Sequence, residues 1–369
     1  MRMAGRVTLQ DIADELGLSR NTVSKAINNT GVLAERTRDR VLLKAKEMGY
    51  KQFSYLQFDS DPIAKLNLPI QKKETAKQNP NKEIAILSAG FIGSSHFASK
   101  MIDRFQKDFS ELGYSISMYR IMPMELQSLS LPSSFDPGSI SGILCLELFQ
   151  ADYLRMLCGL GLPILMIDGP VSIFEGTIPA DQLLMDNQSQ LFLFMKEMKR
   201  RGKVNISYVG DIHHCQSFYE RYSAVCQCVN AFGLNETQSI TGGTISKYDN
   251  SYILYLEESL RALPALPDVF VCANDFVALD FLNLLQTMGF SVPGDVWLCG
   301  FDDSPESRIM VPSLTTIHIH SLIMGQTAVR LLHSRICEPD LPFRTVYTQT
   351  DLIYRSSTGD GTAPAADPE

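Results

Sequence analysis

From Glu83 onward, short apolar runs alternate with amphipathic stretches, and that rhythm leaves few folds open to the chain. EIAILSAG, SISMYRI, SGILCLEL, PILMID, VNISYVGD, VFVCAND and VWLCGFD read as buried strands. Between them, ASKMIDRFQKDFSELGY, NQSQLFLFMKEMKRRG and FYERYSAVCQCVNAFG read as helices buried along one side. A strand buried on both faces needs helices above and below it. Strand–helix alternation sustained over residues 83–356 therefore predicts an α/β core of doubly wound parallel sheets. The length suits two lobes, and a cleft between two lobes is a natural small-molecule site.

The first fifty residues follow a different, all-α pattern. Thr8-x-x-Asp11 is a capping pair ahead of IADEL, and Gly17 closes that helix. Ser19 caps a second helix, in which Val23, Ala26 and Ile27 make an inward stripe. A third helix spans Glu35 to Met48, with Val41, Leu42, Ala45 and Met48 inward and Gly49 as its stop. Two short helices around a turn at Gly17 have the proportions of a helix-turn-helix. Charge separates this head from the rest: residues 1–51 hold ten Lys/Arg against six Asp/Glu, a surplus of +4 in a chain of net charge −8. A small basic head on an acidic body points to a polyanion met by the head alone.

Other classes are excluded in turn. No run approaches the roughly eighteen uncharged apolar residues of a membrane span. Asp11, Asp14 and Glu15 stand where a signal peptide would be apolar, so the cytoplasm is the expected compartment. The eight cysteines are scattered, apart from Cys226-x-Cys228, and read as reduced buried thiols. The triplet His213-His214-Cys215 has no second ligand cluster beside it, so no metal is expected. No Walker loop, G-x-S-x-G or GxGxxG occurs, and SAGFIGS is a loose glycine echo. The chain reads as a non-enzyme without a cofactor.

Between head and core, DSDPIAKLNLPIQKKETAKQNPNK carries three prolines and five lysines with little periodicity, the composition of a linker. The expected organisation is a helix-turn-helix domain at 1–58, a linker at 59–82, a two-lobed ligand-binding and dimerisation domain at 83–356, and a disordered tail at 357–369.

VTLQDIADELGLSRNTVSKAINN, followed by ERTRDRVLLKAKEMGY, resembles the DNA-binding head of the LacI/GalR-type bacterial repressors. The body resembles the same family. PILMIDGP is similar to its strand ending in Ile-Asp, and MDNQSQ to its Ser-Asp-Asn turn. RYSAV stands at its Arg-x-x-Gly-Tyr position with Ala224 and Val225 in place of Gly and Tyr. VFVCANDFVALDFLNLLQTMGFSVPGDVWLCGFDD and PSLTTIH complete the series, in the family's order over residues 6–356. The resemblance implies a periplasmic-binding-protein-like core and a transcription regulator, a repressor, that binds a pseudo-palindromic operator as a homodimer or tetramer. It also implies control by a small-molecule effector, most often a carbohydrate.

Carried onto this chain, the family's base-reading pair falls on Arg20 and Asn21, in the first turn of the second helix. Arg can pair bidentately with guanine and Asn with adenine. Lys25 is a further base contact, and Thr8, Ser19, Thr22 and Ser24 are donors suited to phosphates. The family's hinge, Gly-Tyr-x-Pro-Asn-x-x-Ala-Arg-x-Leu, is not kept in register. The chain reads GYKQFSYLQFD, with Asp59 at the place of the leucine that wedges into the minor groove. Leu56 is the candidate wedge only in a shifted register; the plainer reading packs Phe53, Tyr55 and Phe58 on the head or a partner subunit. A weaker operator bend than in relatives is expected.

In the core, the effector positions fall on His96 and Phe97, which open the first core helix, and on Asp168, Arg221, Asn274 and Asp302. Charged and amide groups at strand ends suit a polyhydroxylated ligand. Asp186 reads as the cap of a helix beginning at Asn187, and Asp303 as a solvated loop residue with backbone turn bonds. Ile319-His320 replaces the family's usual Gln-Pro, which blurs the ligand's identity. The alternative is a solute-binding-protein-like sensor of a non-sugar ligand such as a purine or sugar phosphate.

Overall fold

The computed structural model describes residues 7–27, 35–48, 83–90, 96–243 and 251–359. The head is three helices: α1 (Leu9–Leu16), α2 (Arg20–Ile27) and α3 (Glu35–Glu47). Thr8 and Asp11 form a reciprocal capping box at the start of α1, and Gly17 ends it at φ 66°. A left-handed residue costs glycine nothing, which is why the chain can turn there into α2. Ile12, Ala13, Val23, Ala26, Ile27, Val41, Leu42 and Ala45 fill the space between the three helices.

The first lobe runs through β1 (Glu83–Ser88), α4 (His96–Glu111), β2 (Ser115–Arg120), α5 (Pro123–Ser128), β3 (Ile140–Leu146), α6 (Ala151–Cys158), β4 (Ile164–Ile167), α7 (Ser172–Glu175) and β5 (Asp181–Met185). The second continues with α8 (Ser189–Arg200), β6 (Asn205–Val209), α9 (Gln216–Phe232), β7 (Asn235–Glu236), α10 (Ser251–Arg261), β8 (Val269–Cys272), α11 (Asp275–Thr287), β9 (Trp297–Cys299) and α12 (Pro305–Ile309). The chain then returns through β10 (Thr316–Ile319), α13 (Ser321–Cys337), β11 (Thr345–Thr348) and β12 (Thr350–Ile353). The first-lobe sheet has the order β11-β5-β4-β3-β1-β2 and the second β7-β6-β8-β9. Every pairing in both is parallel, with registers such as Ile84↔Ile116 and Val271↔Cys299.

The predicted alternation is therefore real, and the runs are buried as expected: β3, β4 and β8 are buried at every position. Three features escape the periodicity. The strand β11 comes from the end of the chain yet completes the first-lobe sheet beside β5, pairing Thr345↔Gln182 and Thr348↔Met185. β10 and β12 pair antiparallel between the lobes, Thr316↔Ile353 to Ile319↔Thr350. The chain thus crosses between lobes three times, a hinge rather than a single linker. Finally, residues 357–359, expected in the tail, are packed against the second lobe. Ser357 and Thr358 are fully buried, and the Ser357 hydroxyl donates to Leu298 O and accepts from Thr315 N. Those backbone groups would otherwise be buried without partners, so the segment is held until Gly359.

No helix among the described residues is long and apolar enough to cross a membrane.

Candidate functional site

The head presents its polar residues as a helix start should. Ser19 Oγ accepts from Thr22 N at 3.0 Å, capping α2, and lies 2.8 Å from Thr22 Oγ1. One of those two hydroxyl protons is spent inside the pair, leaving the other for an outside acceptor. Thr8 Oγ1 donates to Asp11 Oδ2 at 2.8 Å, so its proton is committed to the capping box. Arg20, Asn21 and Lys25 are exposed, while Thr22 and Ser24 are half-buried. Leu56 and the rest of the atypical hinge lie outside the described residues.

In the core, three of the six expected side chains meet at strand ends. Asp168 follows β4 at φ 59°, Asp302 follows β9 at φ 113°, and Arg221 reaches between them from α9. Arg221 is 3% exposed. Its Nε donates to Asn187 Oδ1 at 2.9 Å and its Nη1 to Ala273 O at 2.6 Å. The same Nη1 lies 3.8 Å from Asp302 Oδ1, and the guanidinium stacks 3.5 Å from the centre of the Phe301 ring. Asp168 Oδ1 accepts from Gly169 N at 2.8 Å and, across the lobes, from Ser217 N at 3.2 Å. Asn274 stands next to Ala273 but turns its Oδ1 to Val277 N at 3.0 Å, capping α11. His96 and Phe97 open α4; their side chains lie outside the described residues.

Burial pushes the Asp302 carboxyl well above the usual range, against the pull of Arg221, and the like charges of Asp275, Glu147 and Asp168 push the same way. Burial raises Asp168 as well, opposed by its bonds to Ser217 and Gly169. Below them, Asp275 is pushed up to about 7 by burial, although it accepts from Thr316 Oγ1 at 2.6 Å and Ser304 N at 2.7 Å. The glycine of the Gly-Phe-Asp-Asp turn has a steric reason: a Cβ on Gly300 would lie 2.2 Å from Asp275 Oδ1. Non-glycine residues at positive φ (Glu147, Asp168, Asp302 and Asp303) cluster at these strand ends, the kind of local strain that binding sites hold.

Two sequence expectations need correction. Asp303 is not a solvated loop residue: its side chain is fully buried and binds His318 Nδ1 at 3.0 Å, Arg308 Nη2 at 2.5 Å and Arg355 Nη2. A buried carboxylate persists only when paired, and three donors, from α12, β10 and the segment after β12, supply that. Asp186 does act as a cap, accepting from Gln188 N at 2.9 Å and Ser189 N at 3.0 Å, but the helix begins at Ser189, which frees Asn187 to face Arg221. Sequence reasoning missed Asn187, Glu220 and Glu147. MDNQSQ held a signal for the first; YERY held none for Glu220, whose partners are remote in the chain.

With this geometry in hand, the comparisons place the chain. The profile of the bacterial regulatory proteins of the lacI family matches residues 8–52, and that of the periplasmic binding protein-like domain matches residues 195–358. The HTH-type transcriptional repressor PurR of Mannheimia succiniciproducens is 24% identical, over 95% of this chain and 98% of its own length. The regulator GalR of Lacticaseibacillus casei is also 24% identical, over 95% of this chain and 99% of its own. Among solved structures, a transcriptional regulator CelR–cellobiose complex aligns with TM-score 0.64 at 21% identity, covering 95% of this chain and 100% of that one. A lac repressor dimer bound to operator and the anti-inducer ONPF aligns with TM-score 0.61 at 19% identity, covering 96% and 100%. The chain thus carries a lacI-family helix-turn-helix head on a periplasmic-binding-protein-like core, the architecture of the LacI/GalR-type bacterial transcription regulators it is similar to.

Proposed function

We propose that the chain is a repressor that binds a pseudo-palindromic operator as a homodimer and releases or grips it when a small molecule enters the cleft between the lobes. The observation that carries this reading is Arg221. It bonds to the crossover and the second lobe together, and Asp168 and Asp302 approach it from opposite lobes. A ligand bridging those groups favours one lobe arrangement, and through the heads' spacing it shifts DNA affinity by linkage. Arg20 and Asn21 read bases, with Lys25 beside them; Thr8, Ser19, Thr22 and Ser24 serve phosphates.

An Arg221→Ala chain is expected to keep operator binding and lose its response to effector. Fluorescence anisotropy on an operator duplex, with and without effector, measures both. A variant that still responds would sink the assignment.

The charge balance favours an uncharged sugar over a sugar phosphate. Arg221 has already given Nε and Nη1 to the protein, whereas Asp168 and Asp302 bring carboxylates from both lobes. Burial raises both carboxyls, which suits them to exchange hydrogen bonds with sugar hydroxyls, while a phosphate would have to leave water for a site whose guanidinium is already largely committed. In a thermal-shift comparison, a neutral sugar is expected to stabilise by about 2.7 kcal/mol at a hundred times its Kd, and its phosphorylated form by nothing measurable. The reverse order would overturn the charge argument.

The dimer reading has support in Met118, Met122, Met124 and Leu129, all exposed on β2 and around α5. Apolar patches of this kind mark contact surfaces. Met118→Glu with Met124→Glu is expected to give a monomer in analytical ultracentrifugation; an unchanged sedimentation coefficient would argue against that face.

A further inference from the structure

Glu220 is a buried carboxylate to which effector binding assigns no task. It is 7% exposed, and its oxygens accept from three uncharged donors: Asn187 Nδ2 at 2.7 Å, Gln216 Nε2 at 2.9 Å and the Tyr347 hydroxyl at 2.9 Å. Burying such a group costs free energy unless each hydrogen bond is made. The donors come from three parts of the molecule. Asn187 lies in the crossover between β5 and α8, Gln216 opens α9 in the second lobe, and Tyr347 stands on β11 in the first.

An amide has one donating and one accepting end. Because Glu220 takes the Nδ2 of Asn187, Oδ1 is turned toward Arg221 Nε, 2.9 Å away. A flipped amide would set donor against donor and release the guanidinium. The Tyr347 bond adds the other lobe. Around it, the N-terminus of α9 is tied to the first lobe again: Gln216 N donates to Gly169 O at 2.9 Å, and Gln216 Oε1 accepts from Ser172 N at 2.9 Å and Ser172 Oγ at 3.1 Å.

We infer that Glu220 and Tyr347 form an inter-lobe latch that positions Arg221: Tyr347 closes the first lobe onto α9, and Glu220, through Asn187, holds the guanidinium in place. The positioning half rests on the reading of Arg221 as the effector residue. The closure half does not.

Both halves can be tested on the full chain without any effector. Tyr347→Phe removes one hydroxyl and leaves a ring that is half exposed in any case. The distance between spin labels on α5 and α10 then reports lobe opening. The open-to-closed ratio is expected to rise about tenfold, as for loss of one hydrogen bond to a charged group. A distance distribution superimposable on the wild type would overturn the latch. Glu220→Gln tests positioning through the Arg221 Nε–H proton resonance, whose exchange with solvent is expected to quicken about tenfold. Unchanged protection there would reduce Glu220 to a packing residue and overturn that half. Should Glu220→Gln fail to fold, the Tyr347→Phe distance still decides the closure half. An Arg221→Ala chain that still answers its effector would refute the effector assignment while leaving the distance measurement standing.

Discussion

Asp303→Ala is expected to destabilise the core by about 3–5 kcal/mol, the usual consequence of removing one partner from a buried ionic cluster. Arg308 on α12, His318 on β10 and Arg355 beyond β12 all converge on this carboxylate, so its loss takes a buried counter-charge from two guanidiniums that are each more than four-fifths buried. Urea melts monitored by far-ultraviolet circular dichroism would measure the loss; a midpoint within error of wild type would refute the role. Acid provides a second readout. Burial on its own would raise Asp303, but the His318 hydrogen bond and the charges of Arg355 and Arg308 outweigh it and hold the carboxyl below the usual range. A carboxyl depressed in the folded state contributes stability that is present above its unfolded pKa, about 3.9, and lost as pH falls toward the folded value. The stability gap between wild type and Asp303→Asn should therefore narrow as pH falls from about 5 to about 3.

The neighbouring pair Asp302–Asp303 shows how far sequence alone could reach. The two residues are identical and adjacent, yet one is raised in pKa and faces the cleft while the other is lowered and seals a buried cluster. Their fates are set by Arg308, His318 and Arg355, and nothing in local spacing announces those partners. The core strands were legible because a strand covered on both faces must be apolar almost throughout. β11 was not: TVYT is short and half polar, and it lies at a sheet edge whose other face is open. The same edge holds Tyr347, so the latch on Glu220 was hidden with it. Arg221, Asp168 and Asp302 were accessible only through a resemblance of motif, since their meeting depends on two sheets brought end to end. Local capping chemistry, by contrast, was readable directly, as Thr8–Asp11 and Asp186 illustrate, because cap and capped backbone lie within three residues.

The same reasoning makes the head the place for the largest effect on DNA. Arg20 and Asn21 sit exposed in the first turn of α2, which Ser19 caps. A helix N-terminus in the major groove brings such residues to base edges. Each bidentate pair discriminates by about 1–3 kcal/mol. The Arg20→Ala, Asn21→Ala double variant is therefore expected to lose roughly 30- to 20,000-fold in affinity for an operator selected from random duplexes. Its affinity for scrambled duplex should change far less. Salt separates base reading from simple charge. A phosphate contact contributes about −0.9 to the slope of log K against log salt and weakens all sequences alike. A base contact weakens the operator alone. Anisotropy titrations of operator and scrambled duplex across a salt series distinguish the two. Equal losses on both duplexes, with a flatter salt slope, would make Arg20 a backbone contact and send the search for base-reading residues to Lys25 and the remaining exposed face of α2.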